Sequence, residues 1–519
     1  MDFLWVGRQS MGGDVVTQPD LDVIIIGAGL SGIGVARYLK TQCPRKTFAI
    51  LESKPRIGGT WDLFRYPGIR SDSDMTTMGY AFKPWMDRKA IADGGAILSY
   101  IRETAEENGL MPHIRFSQHV RAISWSSEQQ LWTLQIEDKG TERSLTCRFL
   151  FSAAGYYRHH EGYLPEWPGY DDYRGTLIHP QFWPEDFDYA GKTIAVIGSG
   201  ATAVTLTPSL AETAAHVYQV QRSPTYIVNR PSEDHLANTL RRFLPAKLAY
   251  AAARWRTIIG GRRRRQKMAA NIEGTRRLLI GEVAKALPAG YDWKTHFAPS
   301  YMPGQQRICA VPDGDMFKVL ADGRATMVTG TIRRFTETGL EMDDGRRLDV
   351  DVIVTATGLV MESLGGMKVR VDGQHVDQSK LLIYKGFMYS NLPNLVYFTG
   401  YTNASWTLKL DLVAAFACRL LKFMDRKGYT QVHPPAGAAD LENVNSALKF
   451  ISGYVVRAAH RLPKHGKSFP WVHEQDYFWD RKILKRGKVD DGSLRFSKGE
   501  VITLPAGQVA PDEKPLAAE

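Results

Sequence analysis

The sequence predicts an α/β protein of two Rossmann-like units, the second inserted in the first. Three observations predict it. A β-branched run ends in a glycine turn at 21–32, the same grammar returns at 193–203, and two strand-to-glycine segments, 149–155 and 351–358, bracket the second copy. The length of 519 residues suits about three units of roughly 150 residues, or two large ones. With 44% hydrophobic and 23% charged residues the chain can bury a large core, which excludes a disordered chain. Cys43, Cys147, Cys309 and Cys418 stand far apart with no CxxC pair. That argues against a disulfide scaffold, a zinc site and a dithiol flavin reductase, and fits a reducing cytosol. Asp2, Arg8 and Asp14 deny the N-terminus the apolar centre of a signal peptide. The longest uncharged run, 193–211, holds Gly198, Gly200 and Pro208, which argues against a spanning helix.

The elements follow in order. Residues 1–20 read as an irregular N-terminal extension, and 21–155 as the first part of the first domain. Leu21–Ile26 is a short apolar run of the kind buried on both faces of a parallel sheet. Gly27, Gly29 and Gly32 form a GxGxxG turn, a helix follows to Lys40, and a strand, 47–51, ends at Glu52. Residues 156–350 read as the inserted domain. Its strand 193–197 runs into Gly198, Ser199, Gly200, Ala201, Thr202 and Ala203, and its strand 216–221 ends at Arg222 and Ser223. Residues 351–504 return to the first domain, and 505–519, rich in Ala, Pro and Glu, read as a disordered tail.

Each turn has the context a dinucleotide site needs. The first glycine makes the tight turn, the second admits a pyrophosphate, the third packs helix on strand, and the helix N-terminus faces the phosphates. Glu52 lies 25 residues after Gly27, where an acid accepts bonds from an adenosine ribose. In the second unit Ala203 replaces the third glycine and Arg222 stands where Glu52 stood. An acid there would repel a 2′-phosphate, whereas an arginine pairs with it. Opposite polarity at the two ribose ends reads as FAD in the first unit and NADPH in the second.

The stretch Gly58 to Asp72 (GGTWDLFRYPGIRSD) resembles, position by position, the long first fingerprint of the Baeyer–Villiger monooxygenases, class B flavoproteins. Tyr173 to Pro184 (YRGTLIHPQFWP) resembles their second, with tyrosine for phenylalanine at its start. Pro303 to Arg307 (PGQQR) and Gly400 to Lys409 (GYTNASWTLK) are similar to the ethionamide-activating branch. The likeness runs from about residue 20 to about residue 500. It implies NADPH- and O2-dependent conversion of ketones to esters or lactones through a flavin C4a-peroxide, with sulfide or thioamide S-oxygenation as a side activity. A heteroatom-oxygenating flavin monooxygenase without ketone insertion, and a non-enzymatic flavin-binding membrane-associated protein, stay open as alternatives.

The resemblance also assigns residues. Arg307 matches the active-site arginine, whose permanent charge can hold an anionic intermediate, and Asp72 is the carboxylate expected to hold it in place. Ser31, Thr60, Trp61, Asp62, Leu63, Asp72 and Val120 are assigned to FAD, and Arg70 and Ser71 to NADPH. His179 and Trp183 share a spacing of four, but Pro180 and Pro184 break any helix there, so they are expected to couple the domains and not to move protons. Many relatives carry lysine just before the arginine; Gln306 here throws more of the phosphate grip onto Arg222. Trp406 and Trp471 are pocket-wall candidates that spacing does not place.

Charge is concentrated. A helical insertion from about 235 to 300 carries, between 235 and 290, thirteen Lys or Arg against Glu273 and Glu282, an excess equal to the whole chain's +11. Trp255, Ile258, Ile259, Leu278, Leu279 and Ile280 are interleaved, so the helices are expected to be amphipathic. A solvated face and peripheral contact with an anionic membrane are both open readings. The expected partners are a small ketone or sulfide and O2, without nucleic acid, in a cytoplasmic protein. Oligomeric state and natural substrate are left unassigned.

Overall fold

A computed structural model describes residues 18–442, 444–446 and 451–510; nearly all of the expected N-terminal extension and the chain beyond Ala510 lie outside the described residues. β1 (Leu21–Ile26) sends its side chains into two separate cores. Val23 and Ile25 join the apolar cluster beneath α1 (Leu30–Gln42), and Ile24 and Ile26 the cluster on the other face. Burial on both faces is why the run shows no polar alternation, and each such side chain contributes about 1.5–3 kcal/mol. β2 (Phe48–Leu51) and β3 (Ile114–Arg115) extend the parallel sheet to one side. β4 (Gln118–Ser126), β5 (Leu131–Asp138) and β6 (Thr141–Ser152) form an antiparallel meander, and the far half of β6 runs parallel to β1.

The chain leaves through β7 (Tyr157–Gly162) and builds a second sheet from β8 (Thr176–Ile178), β9 (Thr193–Ile197), β10 (His216–Gln221), β11 (Ala325–Thr329) and β12 (Val352–Thr355). All are parallel, in the order β11-β10-β9-β12-β8, with α2 (Ala201–Leu210) after β9. Because β12 pairs with β8 and β9, the return to the first domain falls after Thr355 and not at the expected 350/351 boundary. β13 (Leu359–Met361) carries the chain back and pairs antiparallel with β7, so the outgoing and returning crossings form one two-stranded ribbon. β14 (Lys368–Val371), β15 (Gln374–His375) and β16 (Leu395–Tyr397) rejoin the first sheet, and the long helix α6 (Trp406–Lys427) packs along α1. The start of the expected disordered tail is also corrected. Gln508 is fully buried, with its side-chain nitrogen 2.7 Å from the Ser390 hydroxyl and its carbonyl 2.8 Å from Asn391 Nδ2, so residues 505–510 belong to the fold.

The basic insertion forms three helices, α3 (His235–Phe243), α4 (Ala246–Ala270) and α5 (Ile272–Ala286). They are not simply a solvated face. Arg254 on α4 is buried, donates to the carbonyls of Thr76, Thr77 and Gly79 at 3.2, 3.1 and 2.7 Å, and pairs with Asp411 at 2.9 Å. Arg262 pairs with Asp476 at 3.2 Å, and Arg256 with Asp234.

The first fingerprint is the seam between domains. Phe64 and Tyr66 belong to the apolar core of the second domain. Gly68, at φ +74°, lies against α2 so closely that a Cβ there would sit 2.7 Å from Ser209 Cβ and 3.3 Å from the Thr205 carbonyl oxygen. Left-handed backbone and close approach both require glycine. Gly68→Ala is therefore expected to cost about 2–3 kcal/mol, read as a lower urea midpoint with little change in slope.

Candidate active site

Both glycine turns sit at the carboxyl ends of parallel strands, where the chain emerges from the sheet. In the first, a Cβ on Gly32 would lie 1.8 Å from the Gly27 carbonyl oxygen, so α1 can pack onto its own turn only without a side chain there. Glu52, one residue beyond the Leu51–Ile26 register pair, accepts from the backbone N–H of Ala28 at 2.7 Å and of Lys54 at 2.9 Å. Its carboxylate thus ties the turn to the end of β2 while lining the adjoining cleft. In the second unit Val220 is in register with Ile197, which brings Arg222 beside the Gly198–Ala203 turn, exposed together with Ser223. Ala203 is fully buried and fills the space a third glycine would leave.

A cleft of about 620 Å³ runs from the first turn toward the domain seam. Its walls include Gly27, Gly29, Ser31, Glu52, Thr60, Trp61, Arg70, Ser71, Asp72 and Val120. Asp62 and Leu63 stand apart from it. Asp62 is buried between Arg56 and Arg65, at 3.1 and 2.6 Å, and Leu63 packs on the core of the second domain. The second turn and Arg222 also lie outside this cleft, on the far side of the seam. The cleft suits an anionic dinucleotide. Arg70, Arg121, Arg158 and Arg307 line it, and Arg70, although paired with Asp315 at 2.5 Å, keeps Nε and Nη2 buried without a partner. Two orphaned cationic donors call for acceptors such as phosphate oxygens.

Arg307 stands where the cleft meets a second, smaller chamber of about 140 Å³. Arg307 is exposed to these cavities at the inner end of the cleft. Burial works against the charge, but Tyr156, Tyr157, Tyr454 and Asp72 outweigh it and hold its pKa up. The expected ion pair is not closed: Asp72 and Arg307 influence each other across the cleft, with no contact within 4 Å. Burial raises the Asp72 carboxyl, opposed by Arg307, Arg70 and Arg230. Arg307, Tyr156, Tyr401 and Trp406 line both spaces, with the Trp406 ring stacked on Tyr156 at 5.3 Å and its indole N–H donating to Ser31 at 2.7 Å. Trp406 is thus a wall residue. Trp471 is core, buried against Tyr384.

Sequence reasoning missed Tyr156, Tyr401 and Tyr454. Two had a signal, since Tyr156 directly follows the strand-to-glycine segment ending at Gly155 and Tyr401 lies in the Gly400–Lys409 stretch; Tyr454 comes from a distant segment. His179 has no place in the cleft. Its Nδ1 accepts from Gln181 N–H at 3.2 Å, which leaves the proton on Nε2 to bond the Gly358 carbonyl at 3.2 Å, and its ring covers Gly162 at the end of β7. Burial lowers its pKa and keeps it neutral. It locks the ribbon between domains.

One dinucleotide turn opening on a cleft with a fixed cation at its inner end, and a second such turn across the domain seam, define a flavin- and nicotinamide-dependent oxidoreductase. The NAD(P)-binding Rossmann-like domain model matches residues 25–87, and the flavin-binding monooxygenase-like model residues 73–245. The FAD-containing monooxygenase EthA of Mycobacterium tuberculosis is 48% identical over 92% of this chain and 98% of its own. The probable FAD-binding monooxygenase AlmA of Acinetobacter baylyi is 44% identical over 92% and 96%. Among solved structures, an oxidised steroid monooxygenase bound to NADP aligns over 92% of this chain and 99% of that one, with TM-score 0.74 at 21% identity. OTEMO in complex with FAD and NADP aligns over 93% and 100%, with TM-score 0.72 at 20% identity. The chain belongs to the family of FAD-containing monooxygenases and carries an NAD(P)-binding Rossmann-like domain. No described helix is long and apolar enough to cross a membrane.

Arg222→Ala is expected to raise the KM for NADPH about tenfold or more, through loss of about 1.4–3 kcal/mol of charge-assisted bonding. The KM for NADH should barely change; equal losses with both cofactors would show that Arg222 does not read the 2′-phosphate.

Proposed function

We propose that the protein is an NADPH- and O2-dependent Baeyer–Villiger monooxygenase that converts ketones to esters or lactones, with S-oxygenation of sulfides and thioamides as a side activity. The observation that carries this reading is the position of Arg307, a fixed cation at the mouth of a chamber walled by Tyr389, Tyr397, Phe398, Met361 and Leu462. FAD, when bound, would supply oxygen activated from O2 with electrons from NADPH. The chain's own residues then have three tasks. Gly27, Gly29, Glu52 and Val120 hold one dinucleotide, and Arg70, Ser71 and Arg222, with the Gly198–Ala203 turn, hold the other. The chamber excludes water and takes the apolar arms of a ketone. Arg307 stabilises negative charge developing on the carbonyl oxygen, aided by the hydroxyl of Tyr454, which burial keeps protonated. Asp72 sits across the cleft as counter-charge, far enough from Arg307 to leave the guanidinium available.

The same chamber accepts a sulfide, whose oxygenation develops no oxyanion on the substrate. This gives a discriminating experiment: aerobic incubation of the FAD-loaded protein and NADPH with a panel of short, long and aryl ketones and an aryl sulfide. Esters are expected; sulfoxide without any ester would overturn the ketone reading. In Arg307→Met ester formation should fall about 100- to 1000-fold, as when an oxyanion holder is removed, with a smaller loss in sulfoxide.

A second observation bears on where the enzyme works. Residues 242–248, the corner between α3 and α4, are all exposed, with Phe243 at 80% and Leu248 at 59%. Arg242 and Lys247 flank them, and Arg241 ties the corner to the backbone of Asp87 at 2.8 Å, beside the exposed Met86. We propose that this corner touches an anionic lipid surface, its apolar tip entering between headgroups that its cations attract. Co-sedimentation with phosphatidylglycerol-containing vesicles at low salt is expected, and Phe243→Asp/Leu248→Asp should abolish it. Binding that ignores anionic lipid content, or no binding at low salt, overturns the idea.

A further inference from the structure

Two charged side chains with no part in the scheme above are buried behind the chamber wall that Tyr401, His473 and Gln475 help to form. Lys409 and Asp480, at 0% and 1% exposure, pair at 2.8 Å. Lys409 Nζ also donates to the Lys385 carbonyl at 3.1 Å. The same Asp480 Oδ2 accepts from the Tyr401 hydroxyl at 2.7 Å and lies 3.5 Å from His473 Nε2. Gln475 Nε2 lies 3.0 Å from His473 Nδ1, so that nitrogen is the acceptor and Nε2 carries the proton, turned to Asp480. Gln475 Oε1 in turn accepts the backbone N–H of Thr402 at 3.0 Å. Burial alone would raise the Asp480 carboxyl, but Lys409 and His473 hold it down at about 2, while burial lowers His473 and keeps it neutral.

Stability alone is a weak reason for such an arrangement, because buried ion pairs are often replaced by apolar side chains at no cost. Their placement is more telling. Two distant segments, 400–409 and 473–480, meet at one carboxylate, Lys409 ties the Lys385 carbonyl to it, and the side chain held at its free edge is Tyr401. That ring lines both the cofactor cleft and the chamber. From outside, Ile258 and Leu408 pack on it, and Arg262 on the same helix, α4, holds Asp476 at 3.2 Å. Tyr401 is therefore fixed by a hydrogen bond on one side and by apolar packing on the other.

We propose that Lys409, Asp480 and His473 are positioning residues that hold Tyr401 as the partition between the cofactor cleft and the substrate chamber, and so set both ketone fit and the share of NADPH oxidation that ends in product. The inference rests on the chamber being the substrate site. A tilted Tyr401 would widen the opening, loosen the substrate and admit water, which diverts reducing equivalents from the organic product.

The test uses the full-length, FAD-loaded protein. Tyr401→Phe deletes one hydroxyl and keeps the ring. Its thermal midpoint should fall by only a few degrees, while KM for the ketone rises about fivefold or more and product per NADPH consumed drops about twofold or more. A stability role alone would move the first of these and not the others. Lys409→Met/Asp480→Leu, which removes both charges, should show the same loss of coupling in a folded protein. Wild-type KM and wild-type product per NADPH in Tyr401→Phe overturn the proposal, whether or not the pair variant folds. Each variant is run with a ketone and with an aryl sulfide. A wild type that yields sulfoxide but no ester sinks the ketone reading alone, and the sulfide coupling ratio then tests the partition. A wild type that yields neither product sinks both.

Discussion

A guanidinium set at the inner end of a cleft, with no carboxylate closing on it, gives up part of its hydration, which the surroundings must offset. Arg307 is in that position. Asp72 is held at a distance by its place on the first fingerprint, and the groups nearest the cation are tyrosines, whose hydroxyls stay protonated. The seam between domains, the ribbon of β7 and β13 and the braced wall at Tyr401 all converge on this cation. Under the proposed function, pairing it fully would make a better salt bridge and a worse holder of transient negative charge.

The basic insertion changes meaning once its arginines are followed individually. Read as a bare excess of charge, it pointed outward to a polyanionic partner. Arg254 instead caps the carbonyls around 76–79, Arg262 fastens the segment that carries Asp480, and Arg265 reaches the Asn403 carbonyl at 3.3 Å. One side of α4 is thus a brace for the first domain, while the corner at 242–248 and residues such as Arg263, Arg264, Lys267 and Arg277 face outward. Amphipathicity here separates an inner, hydrogen-bonding cationic side from an outer, mixed one.

What could be read in the sequence was whatever is encoded locally. The strand–glycine–helix units, Glu52 against Arg222, and the fingerprints with Arg307 at fixed spacing are short stretches in which each residue's neighbours in sequence are its neighbours in space. The chamber is the opposite case. Met361, Tyr401, Tyr454 and Gln475 become neighbours only through long-range packing, and no spacing announces it. Asp62 and Leu63 lie inside a fingerprint yet turn away from the cleft, because the same stretch must also plug into the second domain. The return boundary was misplaced because 351–358 does resemble 149–155; its strand simply hydrogen-bonds to the other sheet. The tail was misjudged because its composition is that of a flexible chain, while Gln508 bonds the buried side chains of Ser390 and Asn391.

The paired crossings carry a mechanical consequence. Two separate linkers would let the domains slide, twist and part in many directions. Here the links are one laddered ribbon, with Glu362 N–H bonded to the Tyr156 carbonyl at 3.1 Å and Tyr163 N–H to the Gly358 carbonyl at 3.1 Å. A ribbon resists shear and stretching in its own plane but bends and twists about its length, so it acts as a hinge with few degrees of freedom. Tyr156, which stacks on Trp406, is anchored at its very edge. Any rocking of one domain on the other is thereby geared to the Tyr156 ring, and opening the cleft and reshaping the chamber become a single movement.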